Sequence, residues 1–422
     1  MKGKKRGSKR YGGAKEYSMM NNKAAGDSAL LLNHYLYKRI LNGPDNTTYK
    51  NVIDRMDYNT IDFNANDLLM VIDMQNDFVD RPVKATDGTD LLTGPLVPGF
   101  GSIGAFAVNN GSGIIDPIVS LYGKVLSKGG KVVFSRDVHP CDHCSFFKHS
   151  CETTKQEPNT PTGRFPPHCL SGSVGSGFVQ EIYDDLKNKE ISSTISEDGI
   201  ISVIFKGCYQ NTDSFGAAKY GDVEYGKKRQ EPGCKEYSLE NTGGFYANAQ
   251  YYGNKEVLND NFDAETNIQA EKIEFEVPDS IKRIFVVGLA GDYCVCDTAI
   301  NLKKKYSTKE IIIIHELTRN AFIPFSSTND SVLNNVKSDI LNKNLYDYAF
   351  KFDGTSKSLT EDDRNDLTVD TLFNGTYFHF LTDINELFDR YFEAGVKVMI
   401  APATIDAASE AINPHQTAEV DS

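Results

Sequence analysis

Leu68-Leu-Met-Val-Ile72-Asp73-Met-Gln-Asn-Asp-Phe78 decides the fold. Five apolar residues in a row, ending on a carboxylate, read as a strand buried on both faces. Such strands belong to parallel sheets covered by helices on each side. Five more runs of the same character follow, at 131–134, 201–205, 283–287, 311–314 and 396–400. Helical patterns lie between them. Ile114, Ile115, Ile118, Val119 and Val125 share a face over 113–128, and further helices are expected over 178–186, 292–305 and 381–392. Strands alternating with helices predict an α/β chain with a roughly six-stranded parallel sheet and helices on both faces.

Two polar stretches interrupt the alternation. Residues 207–280 are rich in Tyr, Asn, Gly and charge, and most of them read as an insertion between the third and fourth strands. Residues 346–380 read as a second insertion. Loops of this length serve as lids, interaction surfaces or disordered segments. Residues 1–15 carry seven basic side chains among Gly and Ser and predict a disordered, solvated arm, followed by a weakly amphipathic helix over 28–56. The expected organisation is an N-terminal extension over 1–60, one domain over 61–402 with insertions at about 216–280 and 346–380, and a flexible tail over 403–422.

Composition narrows the function classes. The 422 residues are 40% hydrophobic and 24% charged, enough for a sizeable core. The formal net charge of −13 argues against general nucleic-acid binding, although the basic arm leaves a local contact or nuclear location open. No apolar run is long enough to span a membrane, and the first residues lack the apolar stretch of a secretory leader. Eight Cys in so long a chain fit reduced thiols and a cytoplasmic setting better than a disulfide scaffold.

Ligands of open α/β sheets sit beyond the carboxyl ends of the strands. Asp73 follows the first expected strand. Ser135-Arg-Asp137-Val-His139-Pro-Cys-Asp-His143 ends the second, Lys206 the third, and Gly288-Leu-Ala-Gly-Asp-Tyr-Cys294-Val-Cys296 the fourth. Cys294 opens a helix, where a thiol loses its proton more readily, and a nearby lysine would help. Taken alone, each of these residues has an ordinary structural reading: a core thiol, a turn-capping carboxylate, a strand-end lysine. Asp137-x-His139, with His143 and His168 close in sequence, suits Zn²⁺, Fe²⁺ or Mn²⁺. Cys141-x-x-Cys144 has no second such pair, so a four-cysteine zinc site is not expected.

These segments resemble nicotinamidases, which are isochorismatase-like cysteine hydrolases. The resemblance rests on Asp73 to Phe78, Asp137-x-His139-Pro-x-x-His143-x-Ser145-Phe146, Pro166-Pro-His168-Cys, Phe205-Lys206-Gly and Gly288-Leu-Ala-x-Asp-Tyr-Cys294-Val, in that order. Gly104 to Val108 and Asp213-Ser-Phe215 add to it. It covers roughly residues 66–325.

The resemblance implies a three-layer isochorismatase-like fold and hydrolysis of nicotinamide to nicotinate and ammonia. Asp73, Lys206 and Cys294 would form a catalytic triad. Asp137, His139 and His168 would hold one divalent ion, zinc first among the choices, with His143 a fourth ligand or a neighbour of the ligands. The N–H groups of Ala290 and Cys294 would form an oxyanion hole beside a cis Leu289–Ala290 bond. Phe78, Gln75, Leu289 and Tyr293 would contact the substrate. The insertions could supply a homo-oligomer contact.

Gly291 and Phe165 depart from the family pattern, which has Thr or Ser and Trp there, and the chain has no Trp. The alternatives are an amidase of the same scaffold acting on another small amide, and a non-catalytic binding protein.

Overall fold

The computed structural model describes residues 56–58, 61–81, 83–84, 90–91, 96–97, 101–102, 104–146, 163, 165–192, 194–195, 199–231, 233–234, 237–246, 256–258, 273–325, 338, 350–351, 357–358 and 381–400. The basic arm, the helix expected over 28–56 apart from Met56, most of the 346–380 insertion and the tail lie outside the described residues.

All six expected strands form, as β1 (Asp67–Ile72), β2 (Lys131–Asp137), β3 (Ile201–Lys206), β6 (Arg283–Leu289), β7 (Glu310–Arg319) and β8 (Lys397–Ile400). Between β3 and β6 come two short strands, β4 (Phe245–Tyr246) and β5 (Ile273–Glu274). Across the sheet the order is Asp57–Tyr58, β8, β7, β6, β1, β2, β3, β4, β5. Pairing is parallel as far as β3; β4 and β5 add to that edge antiparallel. Every residue of β1, β2 and β3 is buried, which is why the middle of these strands reads as a near-continuous apolar run.

From β1 the chain crosses through α1 (Ile115–Ser127) to β2. From β6 it crosses through α4 (Cys294–Lys305) to β7, in the opposite direction along the sheet. Right-handed crossovers therefore put α1 and α4 on opposite faces. α1 packs on β1, β2 and α2 (Gln180–Leu186); α4 packs on β6, β7 and α5 (Ile384–Glu393). The result is three layers, with the reversal of strand order between β6 and β1. That crevice is where α/β sheets bind ligands.

α1 buries Ile115, Ile118, Leu121, Tyr122 and Val125 on one face, and Pro117 sits in its first turn. α5 begins later than its apolar pattern suggests. Residues 381–383 instead pair with Ile323–Phe325, and the Asp383 carboxylate caps α5 by accepting the N–H groups of Asn385 and Glu386.

Over its described part the insertion after β3 is joined to the body of the fold. Phe245 pairs with Phe205, extending the sheet, and α3 (Val223–Lys228) is capped by Asp222 and packs toward α4. The reading of the thiols as reduced is corrected in part: Cys144 and Cys234 form a disulfide, and Cys141 is disulfide-bonded too. Cys141 and Cys144 are therefore neither a zinc knuckle nor a redox pair with each other. Cys169, Cys208, Cys294 and Cys296 are free and buried. Among the described residues no helix is long and apolar enough to cross a membrane.

Candidate active site

Strand register builds the site. Asp137 and Lys206, the last residues of β2 and β3, are direct partners across the sheet. Ile72 partners Gly288 on the other side, so Asp73 emerges between β6 and β2. Asp73 takes a left-handed backbone (φ 47), which turns its carboxylate off the strand axis.

Lys206 joins three groups at once. Its Nζ lies 2.8 Å from Asp73 Oδ2, 3.1 Å from Asp137 Oδ1 and 3.4 Å from Cys294 Sγ. All four residues are buried. Burial alone would favour a neutral lysine, but Asp137, Asp73 and the thiol outweigh it and raise Lys206 well above its ordinary range. Lys206 is thus a fixed cation. Ser135 Oγ donates to Asp73 Oδ1 (2.7 Å) and accepts the Asp73 N–H (3.1 Å).

Burial pushes the Asp73 carboxyl up, against the pull of Lys206. It likewise holds the Cys294 thiol well above its usual value, more than Lys206 brings it down. The helix start and the lysine were expected to lower this pKa, and burial acts the other way. Cys294 does open α4, but complete desolvation outweighs the helix terminus and the lysine.

The second cluster faces the first across Asp137. One ligand atom each from Asp137, His139 and His168 lie within 4.8 Å of one another. Asp137 Oδ2 is 2.9 Å from His139 Nε2 and 3.9 Å from His168 Nε2. Each imidazole is oriented from behind: His139 Nδ1 is 2.8 Å from the Gly207 carbonyl, and His168 Nδ1 is 2.7 Å from the Pro166 carbonyl. With Nδ1–H donating to those oxygens, both Nε2 lone pairs are presented to one point. One carboxylate and two such imidazoles fit a divalent cation.

Gly207 makes the arrangement possible. At φ +70, a Cβ there would meet Asp137 Oδ1 and come within 2.7 Å of the His139 ring.

His168 is neutral, with its pKa lowered to about 3 by burial and by His139. For His139 burial opposes the proton, but Asp137 outweighs it and raises the pKa. His143 stands outside the three-atom cluster. Its ring centroid is 4.2 Å from that of His139, and its Nδ1 is 2.8 Å from Ser145 Oγ.

The remaining expected residues divide. Phe78 lies beside the ligand set, its ring centroid 5.3 Å from that of His168. Gln75 is tied to backbone: Nε2 donates to the Asp137 and Ser176 carbonyls (2.7 and 2.8 Å), and Oε1 accepts the Asp137 N–H (2.7 Å). It thereby fixes Asp137. Leu289 is buried and its bond to Ala290 is cis. The Ala290 carbonyl accepts the N–H groups of Tyr293 (3.1 Å) and Val295 (3.0 Å), which folds Ala290 against the start of α4.

Tyr293 belongs to a ring of aromatic side chains that the sequence did not single out. Phe106–Phe165, Phe165–Tyr293, Tyr293–Phe322 and Phe322–Phe106 have centroid separations of 5.0, 5.6, 5.6 and 6.5 Å. Phe106 also packs on His168 (5.0 Å), so these rings link the imidazoles to the residue before Cys294. Ser135 was missed as well; a serine two residues before Asp137 was the available signal.

The fold and site together define an α/β protein with a lysine-bridged aspartate–cysteine cluster beside an aspartate–histidine ligand set. The chain is similar to nicotinamidases. It is 30% identical over 135 residues to the nicotinamidase of Saccharomyces cerevisiae, a match covering 29% of this chain and 53% of that protein. It therefore spans about half the length of the curated relative it matches.

Among solved structures, the L. infantum protein crystallised with nicotinate matches with a TM-score of 0.33 and 20% identity, over 68% of this chain and 93% of that one. A pyrazinamidase of Pyrococcus horikoshii in complex with zinc matches with a TM-score of 0.31 and 20% identity, over 65% and 95%. No family model matches the chain.

Proposed function

We propose that the chain is a metal-dependent cysteine amidase of the isochorismatase-like type, hydrolysing nicotinamide to nicotinate and ammonia. The observation that carries this reading is the contact of one buried lysine with Asp73, Asp137 and Cys294 together. A cluster of that composition, next to a group of aromatic rings and a ligand set, is suited to acyl transfer from a small planar amide. The yeast relative's activity supports the choice of substrate, as does the nicotinate in the L. infantum structure.

In this mechanism Asp73 accepts the Cys294 proton as sulfur attacks the carboxamide carbon. Lys206 stays protonated and stabilises the charge that passes between thiol and carboxylate. The Ala290 and Cys294 N–H groups are assigned to the oxyanion. Asp73 returns its proton to the departing ammonia, leaving a thioester on Cys294. Asp73 then takes a proton from an attacking water, and collapse of that adduct frees nicotinate and restores the thiol.

Asp137, His139 and His168 would hold the metal, and His143 stands beside them. The ion, when bound, would supply Lewis-acid character next to the substrate ring. Zinc is the first choice, supported by the zinc in the P. horikoshii relative, with iron or manganese as alternatives. The net charge supports a small-molecule rather than a nucleic-acid partner. The disulfide removes the thiol argument for a cytoplasmic setting.

Acid-quenched protein mixed with nicotinamide tests the reading. The Cys294 peptide should carry a nicotinoyl adduct during turnover. Turnover with an unmodified Cys294 peptide, undiminished in Cys294→Ala, would overturn it.

A further inference from the structure

Arg229 reaches the site from the insertion after β3. It is the residue just past α3, and its Nε lies 2.9 and 3.0 Å from the two carboxylate oxygens of Asp297. Asp297 sits one turn beyond Cys294 on α4 and is fully buried. Tyr220 Oη and Tyr225 Oη also donate to it, the latter at 2.8 Å. A buried carboxylate needs such company. The same guanidinium donates to the Asp292 carbonyl (3.3 Å), so it holds both the turn before Cys294 and the first turn after it.

Arg229 also lies over two rings. Its guanidinium carbon is 5.3 Å from the Phe215 centroid and 5.4 Å from the Tyr293 centroid. Those rings are 5.1 Å apart, and both contact Phe165, at 6.1 and 5.6 Å. A planar cation on two ring faces is favourable, and the more so when desolvated. Arg229 thus backs the part of the aromatic ring system that adjoins the thiol. Five residues further on, the insertion is fastened by Cys234 to Cys144, next to His143.

We propose that Arg229 is a positioning residue that sets the preference of the site for planar aromatic acyl groups, acting through Tyr293 and Phe215. The proposal rests on the reading of Cys294 as the nucleophile. Arg229 touches no reacting atom in it. Its effect is to hold the wall against which an aromatic acyl group would lie, so it governs KM rather than the chemical step.

The test uses the full chain and the variants Arg229→Gln, Arg229→Lys and the double Arg229→Gln/Asp297→Asn, which leaves no lone buried carboxylate. Two readouts are taken: KM and kcat for nicotinamide, and the rates at which 3-(bromoacetyl)pyridine and bromoacetone alkylate Cys294. The first alkylator carries a ring on its carbonyl and the second a methyl. In Arg229→Gln and the double variant, KM should rise about tenfold with kcat within about twofold, and the ratio of the two alkylation rates should fall by about the same factor. Lysine keeps the charge but not the planar stack, so Arg229→Lys should show the same fall. An unchanged ratio, an equal loss of both alkylation rates, or restoration by lysine would overturn the proposal. Absence of nicotinamide turnover by the unaltered chain would count against the amidase reading alone, because the alkylation ratio still decides the role of Arg229.

Discussion

Lys206 Nζ lies 3.4 Å from Cys294 Sγ, bringing the end of β3 to the start of α4 across 88 residues of sequence. The same cation reaches both carboxylates, Asp73 and Asp137, as well as the thiol. Lys206→Met should therefore lower kcat by at least a hundredfold, the scale of losing a preorganised charge at the reacting atoms. It should also destabilise the fold by roughly 3–5 kcal/mol, because Asp73 and Asp137 remain buried without their counter-ion. Steady-state kinetics and thermal unfolding check the two effects separately.

Metal binding should weaken as pH falls. Asp137 is held well below the usual carboxylate range: burial opposes this, but His139 and Lys206 prevail. The group that competes with the cation is therefore His139, whose proton Asp137 favours. A ligand must shed its proton before it binds, so acidification through the raised His139 pKa should release the ion. Zinc titration by calorimetry across pH should find one site, tighter at higher pH. His168→Ala should abolish it.

Asp77 should give a pH-dependent contribution to stability. Burial raises its pKa from 3.8 to about 6, against hydrogen bonds from the Cys169 and Ala105 N–H groups. Between those two values the folded state retains a proton that the unfolded chain has released. Stability from this group is therefore greatest below pH 4, falls as pH rises toward 6, and is flat above. Denaturant unfolding of the natural chain and of Asp77→Asn should give a stability difference that changes over that window and is constant at neutral pH.

The Cys144–Cys234 bond closes a segment of 90 residues and fastens the insertion beside His143. Cys234→Ser should lower stability by about 2–4 kcal/mol, the usual range for such a cross-link. Thermal unfolding with and without reductant checks this: reductant should lower the midpoint of the natural chain by more than that of the variant, which keeps only the disulfide of Cys141 to lose.

The layout of the sheet was legible because its central strands are buried on both faces. Residues 68–72 are wholly apolar and 201–205 are apolar but for the small Ser202, and the polar residue that ends each run marks the edge where ligands bind. Asp73, Lys206 and Cys294 could be grouped on that edge for the same reason.

What pairs across long separations left no such trace. Nothing local to Arg229 or Asp297, 68 residues apart, points to the other. The same holds for Cys144 and Cys234. Both are tertiary contacts of an insertion that also joins the sheet edge through Phe245 and Phe205. The upward pull on the Cys294 thiol was not legible, because a helix terminus is visible in sequence and complete desolvation is not. The start of α5 slipped because a side-chain cap at Asp383 overrides an apolar pattern that begins earlier.

The most direct measurement is ammonia and nicotinate release from nicotinamide by the zinc-loaded chain, beside Cys294→Ala and a chelator-treated sample. Equal amounts of the two products, lost in both controls and regained when metal is restored to the chelated one, is the result predicted. A folded, zinc-loaded chain that releases neither product would contradict the account.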